Sequence, residues 1–297
     1  VVKPVLPSPQ SGLARVAVEH SGYFNVEHPQ QYSDLFFWQQ SSIAGHQVLL
    51  ACGLPPSPLT DSQWAQLARH GIVAVSLTPH ATTSVVPLFT HWPRLRRLQL
   101  ERAFLASAPR SVNATWLREQ FADYEVRRDY WTDLFATYRV KIYVSHNKSD
   151  GVPCVIADAL QQVGGMSVLY QRSYETHPSA ETAISADVAF GFSKLSAEIE
   201  RQSGSQIRYH VTTGYLGDHR FALLRQQAAQ VRQALTQHGA TKILAFFDEN
   251  SLDDARWQTG HEFMQQNYAF LLERLLAEPW LGLVLKPKAP YNLRRRL

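Results

Sequence analysis

Cysteine is scarce in this chain of 297 residues, with two in all, while 18 % charged residues is normal for a globular protein with a sizeable core. Cys52 and Cys154 each stand alone, with no CxxC pair, which disfavours a zinc site or a dithiol redox motif. Cys52 follows the apolar run Val48-Leu49-Leu50-Ala51 and reads as a small buried thiol. The pattern suits a reducing compartment. No stretch reaches the roughly 18 apolar residues that span a bilayer, and no charged segment followed by an apolar run opens the chain. The nucleophile elbow GxSxG, the P-loop and HExxH are missing. Gly164-Gly165 is not followed by the remaining glycine of a dinucleotide fingerprint, so an NAD enzyme is disfavoured. Charge of one sign is not in large excess either. The 29 basic and 25 acidic residues leave +4, which suits a phosphate- or carboxylate-bearing partner and falls far short of a nucleic-acid binder.

What the chain does have is apolar residues, 45 % of the total, arranged in short runs between turns. The length fits one large domain or two smaller ones. Residues 1–12 are rich in Pro, Ser and Gly and read as a flexible lead-in. Strands are expected at 14–18, 46–52 and 72–77. A helix from Thr60 is closed by Gly71. Ser33-Asp34 reads as the cap of a short helix over Phe36-Phe37-Trp38. Residues 94–139 are mostly helical. Strands then recur at 140–145, 167–170, 187–192 and 207–211, with helices at 155–163 and 194–202. Strand–helix–strand alternation predicts an α/β fold, a Rossmann-like parallel sheet with crossover helices.

A second unit follows. An amphipathic helix is expected at about 220–238, a strand at 241–247, a helix at 261–277 and a strand at 281–285. Two strands and one helix do not bury both faces of a sheet. The expected layout is therefore an N-terminal α/β domain over 13–219, a linking helix over 220–240, and the beginning of a second Rossmann-like domain over 241–297, C-terminally incomplete.

This order, with Ala186-Asp187-Val188-Ala189-Phe190-Gly191-Phe192-Ser193, Gly164 to Gln171, Thr212 to His219, Ile243 to Asn250 and Leu283 to Lys288, resembles glycosyltransferases of the GT-B fold that build bacterial surface and capsular polysaccharides. The resemblance is one of layout and short phrases over most of 140–288. It implies an acceptor-side domain, the opening of a donor-side domain, a nucleotide-sugar donor and a glycan acceptor, with no further cofactor and no nucleic acid. It implies a cytoplasmic enzyme with peripheral contact to the inner membrane. Two other functions fit the same layout: a nucleotide-sugar epimerase, and a non-catalytic glycan-binding or scaffold unit.

In open parallel sheets the chemistry gathers at the carboxyl ends of strands. Glu19-His20, after the first strand, offers a carboxylate as acceptor base and an imidazole to hold substrate, or a solvated turn. In the loop from His146 to Asp150, Asp150 can act as base and Asn147 and Lys148 can hold hydroxyls or phosphate; a polar turn with Asp150 as helix cap is the plain alternative. Arg172, Glu175 and His177 form the densest cluster. Arg172 suits a carboxylate or phosphate, and Glu175 and His177 suit acid or base roles. Lys286-Pro287-Lys288 and the Gly214, Gly217, Asp218 turn can hold the donor phosphate, or form a strand end and a hinge. Asp248, Glu249, Asp253 and Asp254 read as the acidic start of a helix rather than as a metal site. Arg294-Arg295-Arg296 can meet anionic lipid or form a solvated face.

Overall fold

The computed structural model describes residues 15–52, 59–76, 102, 106, 113–148, 151–173, 177–248 and 261–287. The chain divides after Arg220 into two compact units.

The first unit is built on strands β1 (Arg15–Glu19), β2 (Val48–Cys52), β3 (Val73–Ser76), β4 (Val140–Ser145), β5 (Met166–Tyr170), β6 (Ser185–Gly191) and β7 (Gln206–Thr212). They form one sheet in the order β3-β2-β1-β4-β5-β6-β7. Every neighbouring pair is parallel. Such a sheet is covered on both faces, so its central strands read as continuous apolar runs; β2, Val-Leu-Leu-Ala-Cys, is one. The described helices of this unit are α1 (Asp61–His70), α2 (Ala114–Tyr138), α3 (Val152–Gln162) and α4 (Lys194–Gln202). The architecture is Rossmann-like α/β.

Two cores separate the faces. On one, Trp131, Leu134 and Phe135 of α2 and Ile156, Ala159 and Leu160 of α3 bury Ala17, Leu49, Val75 and Tyr143. On the other, Leu67 of α1, Val26 and Leu35 bury Val18, Val48 and Leu50. Successive residues of a strand point to opposite faces, so Ala17 and Val18 serve different cores.

Helix ends follow local chemistry. Thr60 caps α1 by accepting from the Gln63 amide while the Gln63 side chain returns to Thr60, a reciprocal capping box. Gly71, at φ +68°, ends the helix in the left-handed region that a side chain disfavours. Asn113 caps α2 through the amides of Thr115 and Trp116. Arg139, at φ 54°, turns the chain from α2 directly into β4.

The second unit holds β8 (Lys242–Asp248), α6 (His261–Ala277) and β9 (Leu281–Pro287), preceded by α5 (His219–Thr236), which begins at the division. β8 and β9 run parallel from Lys242 opposite Leu281 to Asp248 opposite Pro287, a pairing that requires a crossover such as α6. Tyr268 of α6 is fully buried, meets the Phe246 ring edge-on at 5.4 Å, and donates to Asp248 at 3.1 Å. Phe247, Phe270 and Leu276 of this unit are exposed. Among the described residues no helix is long and apolar enough to cross a membrane.

Candidate functional site

The strand order reverses at β1: the chain first adds β2 and β3 on one side, then β4 onward on the other. The two chain paths diverge there, which opens a crevice at the carboxyl ends of β1 and β4, the usual ligand position in open parallel sheets. His20 follows β1, His146 follows β4, and Gln171 and Arg172 follow β5. The four side chains come from segments far apart in sequence, and only the strand order brings them to one edge.

His20 is buried, and its Nδ1 lies 3.0 Å from Asp34 Oδ2. Asp34 is fully buried and is the hub of this corner. Its Oδ2 also accepts from the Ser21 amide at 2.8 Å and the Tyr23 amide at 3.3 Å, and its Oδ1 from the Ser21 hydroxyl at 2.6 Å. Burial pushes the Asp34 carboxyl up, but donation from His20 and Ser21 outweighs it and holds the group below its ordinary value. An ionised Asp34 accepts only, so His20 carries a proton on Nδ1, and in its neutral form the lone pair is on Nε2. His20 Nε2 makes no hydrogen bond to any described residue.

Arg172 joins this corner to β4. Its Nη1 donates to Ser21 Oγ at 3.2 Å and lies 2.8 Å from His146 Nε2. A guanidinium cannot accept, so His146 is neutral, with its proton on Nδ1. Burial, and then the Arg172 charge, hold His146 below its ordinary value. Its Nδ1 is buried without a partner. The Arg172 guanidinium covers the Tyr23 ring at 4.7 Å and lies 5.8 Å from the Tyr32 centroid, within cation–π range. Gln171 is buried and fixes the loop, accepting from the Phe192 amide at 2.7 Å and donating to the Ser173 carbonyl at 3.1 Å.

Beside this network is a cavity of ≈ 240 Å³, walled by Tyr23, Tyr32, Phe36, Tyr170, Tyr215 and the two arginines Arg172 and Arg220. Tyr32 and Tyr170 share a hydroxyl hydrogen bond, and burial raises both hydroxyls above their ordinary range. Arg220 also lies over the Tyr32 ring, 5.1 Å from its centroid.

The residues expected from sequence fall in three groups. His20 and Arg172 meet at this corner. Glu19 is one residue from His20, but strand alternation sends it to the opposite face. There its charge, after burial, raises the Tyr143 hydroxyl. Asn147 and Lys148 continue from His146, and the Lys148 ammonium pairs with Glu200 of α4, both largely buried. His177 is exposed, beyond the Arg172 loop. Gly214, at φ +74°, takes the left-handed turn before α5, whose first residues close the cavity. Lys286 is exposed on β9, in the second unit. Asp150, Glu175 and Lys288 lie outside the described residues, as do Glu249, Asp253 and Asp254. Among the described residues no group of three or more metal-ligating side chains comes together.

Asp34 corrects the sequence reading. It does not cap a short helix: the 3-10 turn Trp38–Gln40 begins after Phe37, and Asp34 turns back to β1. Nothing in the local pattern marks it, because its donors lie 11 to 14 residues earlier. Cys52, at the end of β2, is pushed up to about 12 by burial, with the Asp34 charge second, so its thiol stays protonated. Ser21, Tyr23, Tyr32 and Tyr170 also enter the site unannounced by any motif.

Comparison with protein-family profiles, with curated proteins and with solved structures finds no match to this chain.

Proposed function

We propose that the chain is a GT-B-like glycosyltransferase in which the first unit receives the acceptor glycan and His20 is the base. The observation that carries this reading is the buried His20–Asp34 pair, at the carboxyl end of β1 beside the switch point of a seven-stranded parallel sheet. A carboxylate that fixes the imidazole tautomer and stabilises the cation formed is what a general base needs. An acceptor hydroxyl would give its proton to His20 Nε2. Its oxygen would bond to the anomeric carbon as the bond from that carbon to the donor phosphate breaks, the electron pair leaving with the nucleotide. The second unit, with its parallel β8–α6–β9 crossover, is assigned the beginning of the donor side. Acceptors of this class are surface polysaccharides or lipopolysaccharide.

The test of donor binding is a thermal-shift panel of CMP, CDP, UDP and GDP on the full chain, because a ligand bound only by the folded state raises the melting temperature by mass action. A shift with one nucleotide supports the transferase and identifies the donor base. No shift with any of them, at millimolar concentrations, counts against it.

A further inference from the structure

The cavity beside the His20–Asp34 pair carries more positive charge than its described partners answer. Arg172 donates only to neutral groups, a serine hydroxyl and a neutral imidazole, through Nη1 alone. A guanidinium has five N–H donors in a planar fork, so most of the Arg172 fork has no acceptor among the described residues. Arg220 is in the same condition: its Nε is buried with no partner among the described residues, and its guanidinium lies over the face of Tyr32. Neither arginine forms an ion pair with a described carboxylate, although the exposed Arg69 and Arg201 of the same unit both do. Asp34, the buried described carboxylate of this corner, is committed to His20, Ser21 and the Tyr23 amide. Two half-buried cations beside one tyrosine cost desolvation that the cation–π contacts offset only in part and that no described carboxylate answers.

The walls define the rest of the ligand. Tyr23, Tyr32, Phe36, Tyr170 and Tyr215 offer ring faces and hydroxyls, a lining that suits the apolar face and hydroxyl rim of a sugar ring. The ≈ 240 Å³ volume falls below the roughly 300–1,000 Å³ of pockets for drug-sized ligands. It is room for one sugar residue and not for a whole nucleotide sugar.

We infer that this cavity binds a single anionic sugar residue, the oxyanion held between Arg172 and Arg220 and the ring lying on the tyrosine wall. Within the proposed transferase it selects an acceptor whose terminal residue carries a carboxylate or a phosphate. That assignment rests on the transferase reading; the binding preference does not.

The test uses the full chain at low ionic strength and measures binding of glucose, glucuronate, glucose 6-phosphate and inorganic phosphate by titration calorimetry and saturation-transfer NMR. At least one of the two anionic sugars is expected to bind tenfold or more tightly than glucose, and the one that does names the oxyanion. Arg220→Met is expected to abolish that preference while leaving the melting temperature nearly unchanged, because the side chain supports no hydrogen-bond network. Arg172→Lys, which keeps the charge and loses the fork, is expected to weaken it. Equal binding of glucose and both anionic sugars, or binding of none, overturns the inference. Inorganic phosphate binding as tightly as the sugars overturns the sugar part and leaves a bare anion site. Anionic-sugar binding that survives both substitutions places the site elsewhere. Donor turnover without anion preference would sink this inference alone, and anion preference without any nucleotide binding would sink the transferase alone.

Discussion

Replacing Asp34 with alanine tests the hub of the site. The substitution removes the acceptor of four hydrogen bonds, from His20 Nδ1, the Ser21 and Tyr23 amides and the Ser21 hydroxyl. Orphaned buried donors cost about 1–3 kcal/mol each, but the hydroxyl can rotate and water can enter the space left, so the sum is an upper bound. The expected loss is about 3–5 kcal/mol, the lower part of the sum for four orphaned donors. For a unit of this size that lowers the melting temperature by about 6–20 °C. Asp34→Asn separates charge from geometry. A carbonyl in place of Oδ2 keeps three donors, and Ser21 Oγ can turn to accept from the new amide, so the loss should be about 1–2 kcal/mol. The acid behaviour fixes the sign. Asp34 titrates below its ordinary 3.8 when folded, so its contribution is complete above that pH and fades as pH falls toward the folded value. The gap between wild type and Asp34→Ala should therefore narrow in acid. Calorimetric melting of the three proteins from pH 7 to pH 3 measures all of this. An Asp34→Ala protein melting within about 2 °C of wild type, or an asparagine variant as unstable as the alanine one, would refute the hub.

Other substitutions probe the frame around it. His146 titrates below its ordinary 6.5 when folded, so the unfolded chain takes up its proton first and stability falls as pH drops below 6.5; His146→Gln should flatten that limb of a stability-versus-pH curve. Gly45 abuts the end of α1, where an added Cβ would lie 1.7 Å from the His70 carbonyl oxygen. Backbone cannot yield as a side chain does, so Gly45→Ala should cost about 2–3 kcal/mol by denaturant titration, and a loss under about 0.5 kcal/mol, typical of an ordinary surface change, would contradict the packing. Lys148→Met leaves Glu200 buried without its cation; a loss of about 3–5 kcal/mol is expected, and a double substitution with Glu200→Leu should recover part of it.

The fold was legible in the sequence to different depths. The strand 140–145 and the helices 194–202 and 261–277 coincide with β4, α4 and α6, because each carries its own period and its own boundary signal: a β-branched run, a serine cap, a glutamate–proline end. The expectation of a Rossmann-like sheet holds for the same reason, since alternating strands and helices leave few other solutions. The site was harder. Loops after β1, β4 and β5 stood out as polar, so His20 and Arg172 could be named. Their convergence depends on β4 pairing with β1 on the side away from β2, a long-range choice that no local pattern encodes. Glu19 and His20 are neighbours in sequence and part company only because a strand alternates faces. Asp34 looked like a cap because serine, aspartate and an aromatic run are capping chemistry. The loop that folds it back under β1 is held by hydrogen bonds from the Ser21 and Tyr23 amides to Asp34 and from the Asn25 amide to Ser33, which have no sequence signature.

The most direct test of the account is nucleotide release from UDP-, GDP- and CMP-sugars in the presence of surface-glycan acceptors, comparing the full chain with His20→Gln. Glutamine keeps a hydrogen-bonding group of similar reach and cannot serve as a base. The account predicts acceptor-dependent release with one donor class and its fall by about 10²–10⁴-fold in the variant, the usual contribution of a positioned general base, with the variant still folded. Equal release by both proteins would contradict the assignment of His20, and no release with any donor from the folded wild-type chain would contradict the transferase itself.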